Sequence, residues 1–338
     1  MSGRYQKNFF DIVKPQSEIK LRVYRAYLEP WSAKVGSVSR GRIWVVDGFA
    51  GPGRYSSGEP GSPELAMQRA QEISANPKNA FKLQCLFGDA RKTATDSLYR
   101  LAGRYKEASP MIIEGNFWDR TDDVLALIKD EPALVFVDPF GLVGLDFDKL
   151  KRIISRRGRV DLIVNFRSPA APRLAAKHAA EISRAVGTDE WTLDSLSQTF
   201  RTNLEKAGRF LPPASLAIRT RFGGALKSEM ILASRNPAAY ELWNDQIVRE
   251  VERLAAEAGE DAPLRDEDIQ EVQTRLLTWG STQLAWHRKD AIGWHVVQFC
   301  GEAHTGTIKR ACDVLRKNGS WEQTNPGAKV EDAIFRMR

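Results

Sequence analysis

Apolar residues along this chain recur with two different periods, and the alternation between them lays out a fold. From Ile19 to Val35 they fall at helical spacing (Leu21, Val23, Tyr24, Tyr27, Leu28, Trp31), which predicts an amphipathic helix packed on the domain or covering a ligand. Short apolar runs then alternate with helical patterns. Arg42–Asp47, Leu83–Phe87, Met111–Glu114, Ala133–Val137 and Val160–Val164 read as strands. Ser62–Ser74, Thr93–Tyr105, Thr121–Lys129 and Asp146–Arg156 read as the helices between them, with Ser62 suited to an N-cap and Pro63 to a first turn. Strands without a polar face, separated by helices, predict a parallel sheet covered on both sides.

After a helix near Pro172–Val186 the pattern changes. Leu216–Phe222 and Glu229–Ser234, joined across Gly223-Gly224, predict an antiparallel pair. A long charged helix over Pro237–Ala258 follows, then Gly259-Glu260-Asp261-Ala262-Pro263 as a linker. The tail reads as helix, strand (Trp294–Phe299), helix (Thr305–Lys317) and short strand, with a turn at Gly319-Ser320-Trp321. The expected layout is an N-terminal helical cap (1–40), a sheet domain (41–258) and a small α+β region of winged-helix-like kind (264–338).

Composition narrows the class. Of 338 residues, 42% are hydrophobic and 28% charged, as in a globular protein, and the net charge of +7 favours a polyanionic partner such as nucleic acid. The densest basic run, Lys149 to Arg159, fits such a contact and equally a solvated helix face. Three unpaired-looking cysteines (Cys85, Cys300, Cys312) predict reduced thiols in the cytoplasm. The first residues show no secretory pattern, and no apolar run reaches the roughly 18 residues of a membrane span. His295, Cys300, His304 and Cys312 lack zinc-ligand spacing, so no metal site is expected.

Chemistry in open α/β sheets collects at the carboxyl ends of the strands. Here those ends read Asp47 with Gly51-Pro52-Gly53, then Asp89, Asn116-Phe117, Asp138-Pro139-Phe140-Gly141, and Asn165. The glycine turn lets backbone N–H groups approach a ligand that a Cβ would block. Asp89 suits a ribose diol or a helix N-cap, and Asn116 suits a base or a turn. The dinucleotide fingerprint fits less well, because its third glycine is Ser56 and Pro52 removes an N–H. Asp138 and the carbonyl after it can accept the hydrogens of an amine, Pro139 sharpens the turn, and Phe140 can stack on a planar group.

In the form Asp-x-Phe-x-Gly-x-Gly, the stretch Asp47 to Gly53 resembles the S-adenosylmethionine loop of class I methyltransferases. The predicted sheet, mostly parallel with an antiparallel edge, is similar to their seven-stranded Rossmann-like architecture. Asp138-Pro139-Phe140-Gly141 resembles the Asp-Pro-Pro-Tyr-type motif of amino methyltransferases, and its spelling is nearer that of tRNA guanine-N2 dimethyltransferases. Val46 to Tyr55, Gly58-Glu59, Gly61-Ser62-Pro63 and Val137 to Gly141 together resemble the three-Cys-motif partner proteins (TcmP). That resemblance implies the methyltransferase fold and a radical-SAM-type partner protein carrying three cysteines. It departs at Phe87-Gly88-Asp89, where a glutamate is expected before the acid. The resemblances imply S-adenosylmethionine as cofactor, held by Asp47, Phe49, Ala50, Gly51, Gly53, Asp89, Asn116 and Phe117. They imply Asp138, Pro139 and Phe140 as the catalytic set, acting on an exocyclic amine of a nucleic acid base. The alternative is a non-catalytic partner or regulatory protein on the same fold, binding DNA or the radical-SAM protein.

Overall fold

The computed structural model describes residues 15–219, 225–258, 269–330 and 332–338. The chain forms two compact units, Met1–Arg235 and Asn236–Arg338. The division falls after Arg235, so the helix Pro237–Ala258 goes with the C-terminal unit and the leading helix with the sheet, unlike the boundaries at 40 and 258 that the sequence suggested.

The first unit opens with α1 (Pro15–Ser39) and continues β1 (Arg42–Asp47), α2 (Ser62–Ala75), β2 (Lys82–Asp89), α3 (Lys92–Ala102), β3 (Met111–Glu114), α4 (Thr121–Ile128), β4 (Ala133–Val137), α5 (Phe147–Ile154) and β5 (Val160–Phe166). Then come α6 (Ala171–Val186), α7 (Leu196–Gly208), β6 (Ala214–Arg219) and β7 (Leu226–Ser234). The strand order is β3-β2-β1-β4-β5-β7-β6. β1 to β5 run parallel, and β7 lies antiparallel between β5 and β6. This is the seven-stranded class I methyltransferase sheet; a dinucleotide-binding sheet would place its sixth strand directly beside the fifth. The Gly223-Gly224 connection lies outside the described residues.

Two features hold the sheet to its helices. Every residue of β4 and β5 is buried, and one of them is an acid: Asp161 accepts hydrogen bonds from Trp31 Nε1 (2.7 Å) and Tyr27 Oη (3.3 Å) of α1 and from Ser234 Oγ of β7 (2.5 Å). Burial raises its pKa, and the donors around it pull the other way. On the other face, α7 sets Leu196, Phe200 and Leu204 against the core, with Phe200 stacked on Phe166 at 4.4 Å. The sequence reading missed α7 because polar Gln198, Thr199, Arg201 and Asn203 separate its apolar positions, although these stand at i, i+4, i+8.

The second unit contains α8 (Pro237–Ala258), α9 (Ile269–Gly280), β8 (Trp286–His287), α10 (Arg288–Gln298), α11 (Thr305–Lys317), β9 (Trp321–Gln323) and β10 (Ile334–Met337), with the last three strands antiparallel in the order β8-β10-β9. The expected strand Trp294–Phe299 is the end of helix α10 followed by its C-cap residue, Phe299. Its Val-Val run looked strand-like, but Ala291, Ile292, His295 and Val296 face the core at helical spacing. The net charge divides unevenly between the units. Residues 1–235 carry 37 Lys and Arg against 26 Asp and Glu, a net +11, while residues 236–338 carry 13 against 17, a net −4. The positive charge of the chain therefore resides in the sheet unit.

Candidate functional site

The register brings the ends of β1, β2 and β4 to one edge, with Asp47 opposite Phe87 on one side and Phe136 on the other. After β1 the chain turns through Gly51 (φ 66°) and Gly53 (φ 82°), both left-handed. A side chain at Gly53 would also strike Leu101 of α3 at 2.6 Å. Asp47 is fully buried beneath this loop, accepting Ser62 Oγ (2.6 Å) and the Phe49 N–H (3.0 Å). Burial pushes its carboxyl up to about 7, against the pull of those two hydrogen bonds. The cap of α2 is Gly61, so the Ser62 hydroxyl is used on Asp47 and not on its own helix.

At the end of β2, Asp89 receives four donors. Gly51 N–H (2.9 Å) and Arg91 Nη2 (3.0 Å) reach Oδ2, and Arg91 N–H (2.9 Å) and Nε (3.0 Å) reach Oδ1. Asp89 thus closes the glycine loop and holds Arg91, whose guanidinium lies 4.9 Å from the Phe140 ring centroid. A ribose contact at Asp89 would have to share these oxygens.

Asn116 is exposed, and its Oδ1 accepts the Trp118 N–H (3.0 Å), capping the short 3₁₀ helix Phe117–Arg120. Phe117 faces inward. It fills the gap left by Gly48, where a Cβ would lie 2.4 Å from its ring, and it packs with Phe49 and Trp118 in the core. The expected adenine-stacking ring is therefore a core ring, placed there by a glycine opposite it.

The ends of β4 and β5 carry the other half of the site. Val137 pairs with Val164, which sets Asp138 beside Asn165. Asp138 Oδ1 accepts Asn165 Nδ2 (2.6 Å) and faces Arg167 Nη2 at 3.5 Å, and Oδ2 accepts Lys20 Nζ from α1 (2.5 Å). Burial alone would raise the Asp138 carboxyl. The charges of Lys20 and Arg167, with the hydrogen bonds from Lys20 and Asn165, outweigh it and hold the group below its ordinary value. Tyr55, after the glycine loop, is pushed up to about 12 by burial and by the Asp138 charge. Pro139 is buried, and Phe140 is 43% exposed.

Lys20, Tyr55, Asp138, Phe140 and Arg167 line one cleft of about 570 Å³, counting space open to solvent, together with Phe49, Ala50 and Gly53 of the glycine loop. Asp47, Gly51, Asp89, Asn116, Phe117 and Pro139 do not line it. Lys20, Arg167 and Tyr55 join the site without having been singled out from sequence. Lys20 had a signal: it stands on the buried stripe of α1 with Tyr24, Tyr27, Leu28 and Trp31, where a lysine needs a partner. Arg167 had none beyond following Asn165. Among the described residues no cluster of His, Cys, Asp and Glu could hold a metal ion, and no helix is long and apolar enough to cross a membrane.

No protein-family model and no curated protein matches the chain. Among solved structures it is similar to the O-methyltransferase TomG of Streptomyces achromogenes (12% identity, 69% of this chain and 95% of that one, TM-score 0.34). It is also similar to a precorrin-6y C5,15-methyltransferase of Geobacter metallireducens (14%, 60% and 88%, TM-score 0.30). A third is an rRNA methylase of Streptococcus thermophilus (8%, 57% and 86%, TM-score 0.31). The fold assignment rests on the strand order given above.

Proposed function

We propose that this chain is an S-adenosylmethionine-dependent N-methyltransferase whose acceptor is an exocyclic amine of a nucleic acid base. One observation carries the reading: the glycine loop after β1, and Asp138 and Phe140 after β4, line the same cleft on a methyltransferase-ordered sheet. The backbone of Phe49, Ala50, Gly51 and Gly53 would hold the cofactor, since Gly51 and Gly53 adopt left-handed conformations that leave the backbone bare, with Asp47 and Asp89 fixing the loop from below. When bound, the cofactor supplies a methyl group activated by a sulfonium. Asp138 is ionised at neutral pH and accepts hydrogen bonds from an amine, turning its lone pair toward the cofactor. Phe140 offers an exposed ring on which an unstacked base can lie. The net +11 of the sheet unit supports a polyanionic acceptor.

A second reading is a non-catalytic partner protein on this fold, working with nucleic acid or with a radical-SAM protein of three cysteines. It is favoured by the fact that side chains of the chain itself already occupy both oxygens of Asp138. Calorimetric titration with S-adenosylmethionine separates the two. No binding by the unmodified chain overturns the enzyme reading. Binding without methyl transfer to any cellular nucleic acid fraction favours the partner reading.

A further inference from the structure

The acid central to the proposed reaction is held by an amine that belongs to the protein. Lys20 is 7% exposed and comes from the first part of α1, where it and Leu21 form a wall of the cleft. Its Nζ stands 2.5 Å from Asp138 Oδ2, the position a primary amine would take on that carboxylate. Both partners of this bridge line the cleft, so it faces the ligand space and not only the core. The other oxygen, Oδ1, is anchored independently by Asn165 and Arg167 from the end of β5. Asp138 therefore keeps its place and a neighbouring cation when Oδ2 is vacated. Phe140, two residues on, lines the same cleft with a ring that is 43% exposed.

We propose that Lys20 is an internal occupant of the acceptor's amine subsite. Its ammonium sits on Oδ2 until a planar amine, stacked on Phe140, takes the carboxylate in its place. The ligand class is a nucleobase with an exocyclic amine, and this inference rests on the N-methyltransferase reading. Lys20 acts through Asp138 and is a positioning residue. It makes occupancy of the subsite conditional on a ligand that can donate a hydrogen bond to the carboxylate, which selects against bases that offer a carbonyl there.

The test compares nucleosides with and without the amine. Adenosine, cytidine and guanosine, against inosine and uridine, are titrated by calorimetry into the unmodified chain, Lys20→Met and Lys20→Arg. Lys20→Met keeps the apolar stem and removes the charge. At least one amine nucleoside is expected to bind it about tenfold more tightly than it binds the unmodified chain, the scale of one hydrogen bond to a charged group. Inosine and uridine should gain nothing, and Lys20→Arg should behave as the unmodified chain. No gain, or an equal gain for amine and keto nucleosides, overturns the proposal. A second measurement needs no variant. Acetic anhydride labelling of Lys20 in the unmodified chain, read by mass spectrometry, should rise with a saturating amine nucleoside and not with its keto counterpart; unchanged labelling with both overturns the proposal even if Lys20→Met does not fold. S-adenosylmethionine titrated into the unmodified chain reports separately on the underlying reading, because its failure to bind overturns methyl transfer and leaves the nucleoside results to decide the subsite.

Discussion

Asp47 and Asp138 leave neighbouring strands, β1 and β4, at the same edge of one sheet, and their surroundings drive them in opposite directions. Asp47 is sealed under the glycine loop and meets only neutral donors, Ser62 and a backbone N–H; burial wins and its carboxyl rises to about 7. Asp138 meets Lys20 and Arg167, and their charges outweigh burial and keep it ionised. An acid satisfied within its own loop shapes the loop. An acid satisfied by a cation reaching across a cleft keeps an oxygen that a ligand can compete for. Asp89 stands with Asp47, tied by four donors to the loop and to Arg91.

The strongest way to break this comparison is Asp138→Ala. Methyl transfer, followed as labelled methyl in nucleic acid, should fall by about 10²–10⁴-fold while cofactor affinity stays nearly intact. Equal loss of both would move Asp138 into the same structural class as Asp47. Phe117→Ala should cost about 3–5 kcal/mol of stability in denaturant unfolding, the usual range for a buried ring. Lost cofactor affinity at unchanged stability would return the ring to the cleft.

The third prediction tests the signs. In the fold Asp47 holds its proton up to about pH 7, whereas the unfolded chain releases it near the ordinary 3.8. The folded state thus binds more protons between these values, and stability attributable to Asp47 falls as pH rises from about 4 to about 7. Asp47→Asn should therefore melt higher relative to the unmodified chain at about pH 8 than at about pH 4. Asp138 has the opposite sign: its lowered pKa stabilises the fold above the unfolded value and that contribution is lost as pH falls through the folded one, so Asp138→Asn should be most costly at neutral pH. Parallel pH profiles for the two variants would remove the distinction. The smallest effect is expected for Asn116→Ala, about 1 kcal/mol from a lost cap, with cofactor affinity unchanged. Weakened cofactor binding would give Asn116 back its adenine contact.

Much of the sheet was legible because its strands alternate with well-marked helices: the bounds of β1, β3 and β4 follow from composition and turn residues alone. The glycine loop was legible for the same reason, since only Gly-x-Gly allows two left-handed residues in succession around Pro52. What the sequence concealed are relations across the fold. Nothing near Asp138 announces Lys20, which lies 118 residues away in the chain. Nothing near Phe117 announces that Gly48 leaves a hole for its ring. Trp294–Phe299 shows the limit within a local segment, where β-branched residues suggest a strand and only the spacing of buried positions identifies a helix.

The buried acid Asp161 gives α1 a mechanical character. Trp31 and Tyr27 fasten one part of that helix to the interior of the sheet, and about 16 Å of helix axis, at 1.5 Å per residue, separates Trp31 from Lys20. The helix is thus pinned at two places, inside the sheet through Asp161 and at the cleft through the bond from Lys20 to Asp138. Pro30, next to Trp31, takes one N–H out of the helical ladder between Lys20 and Trp31.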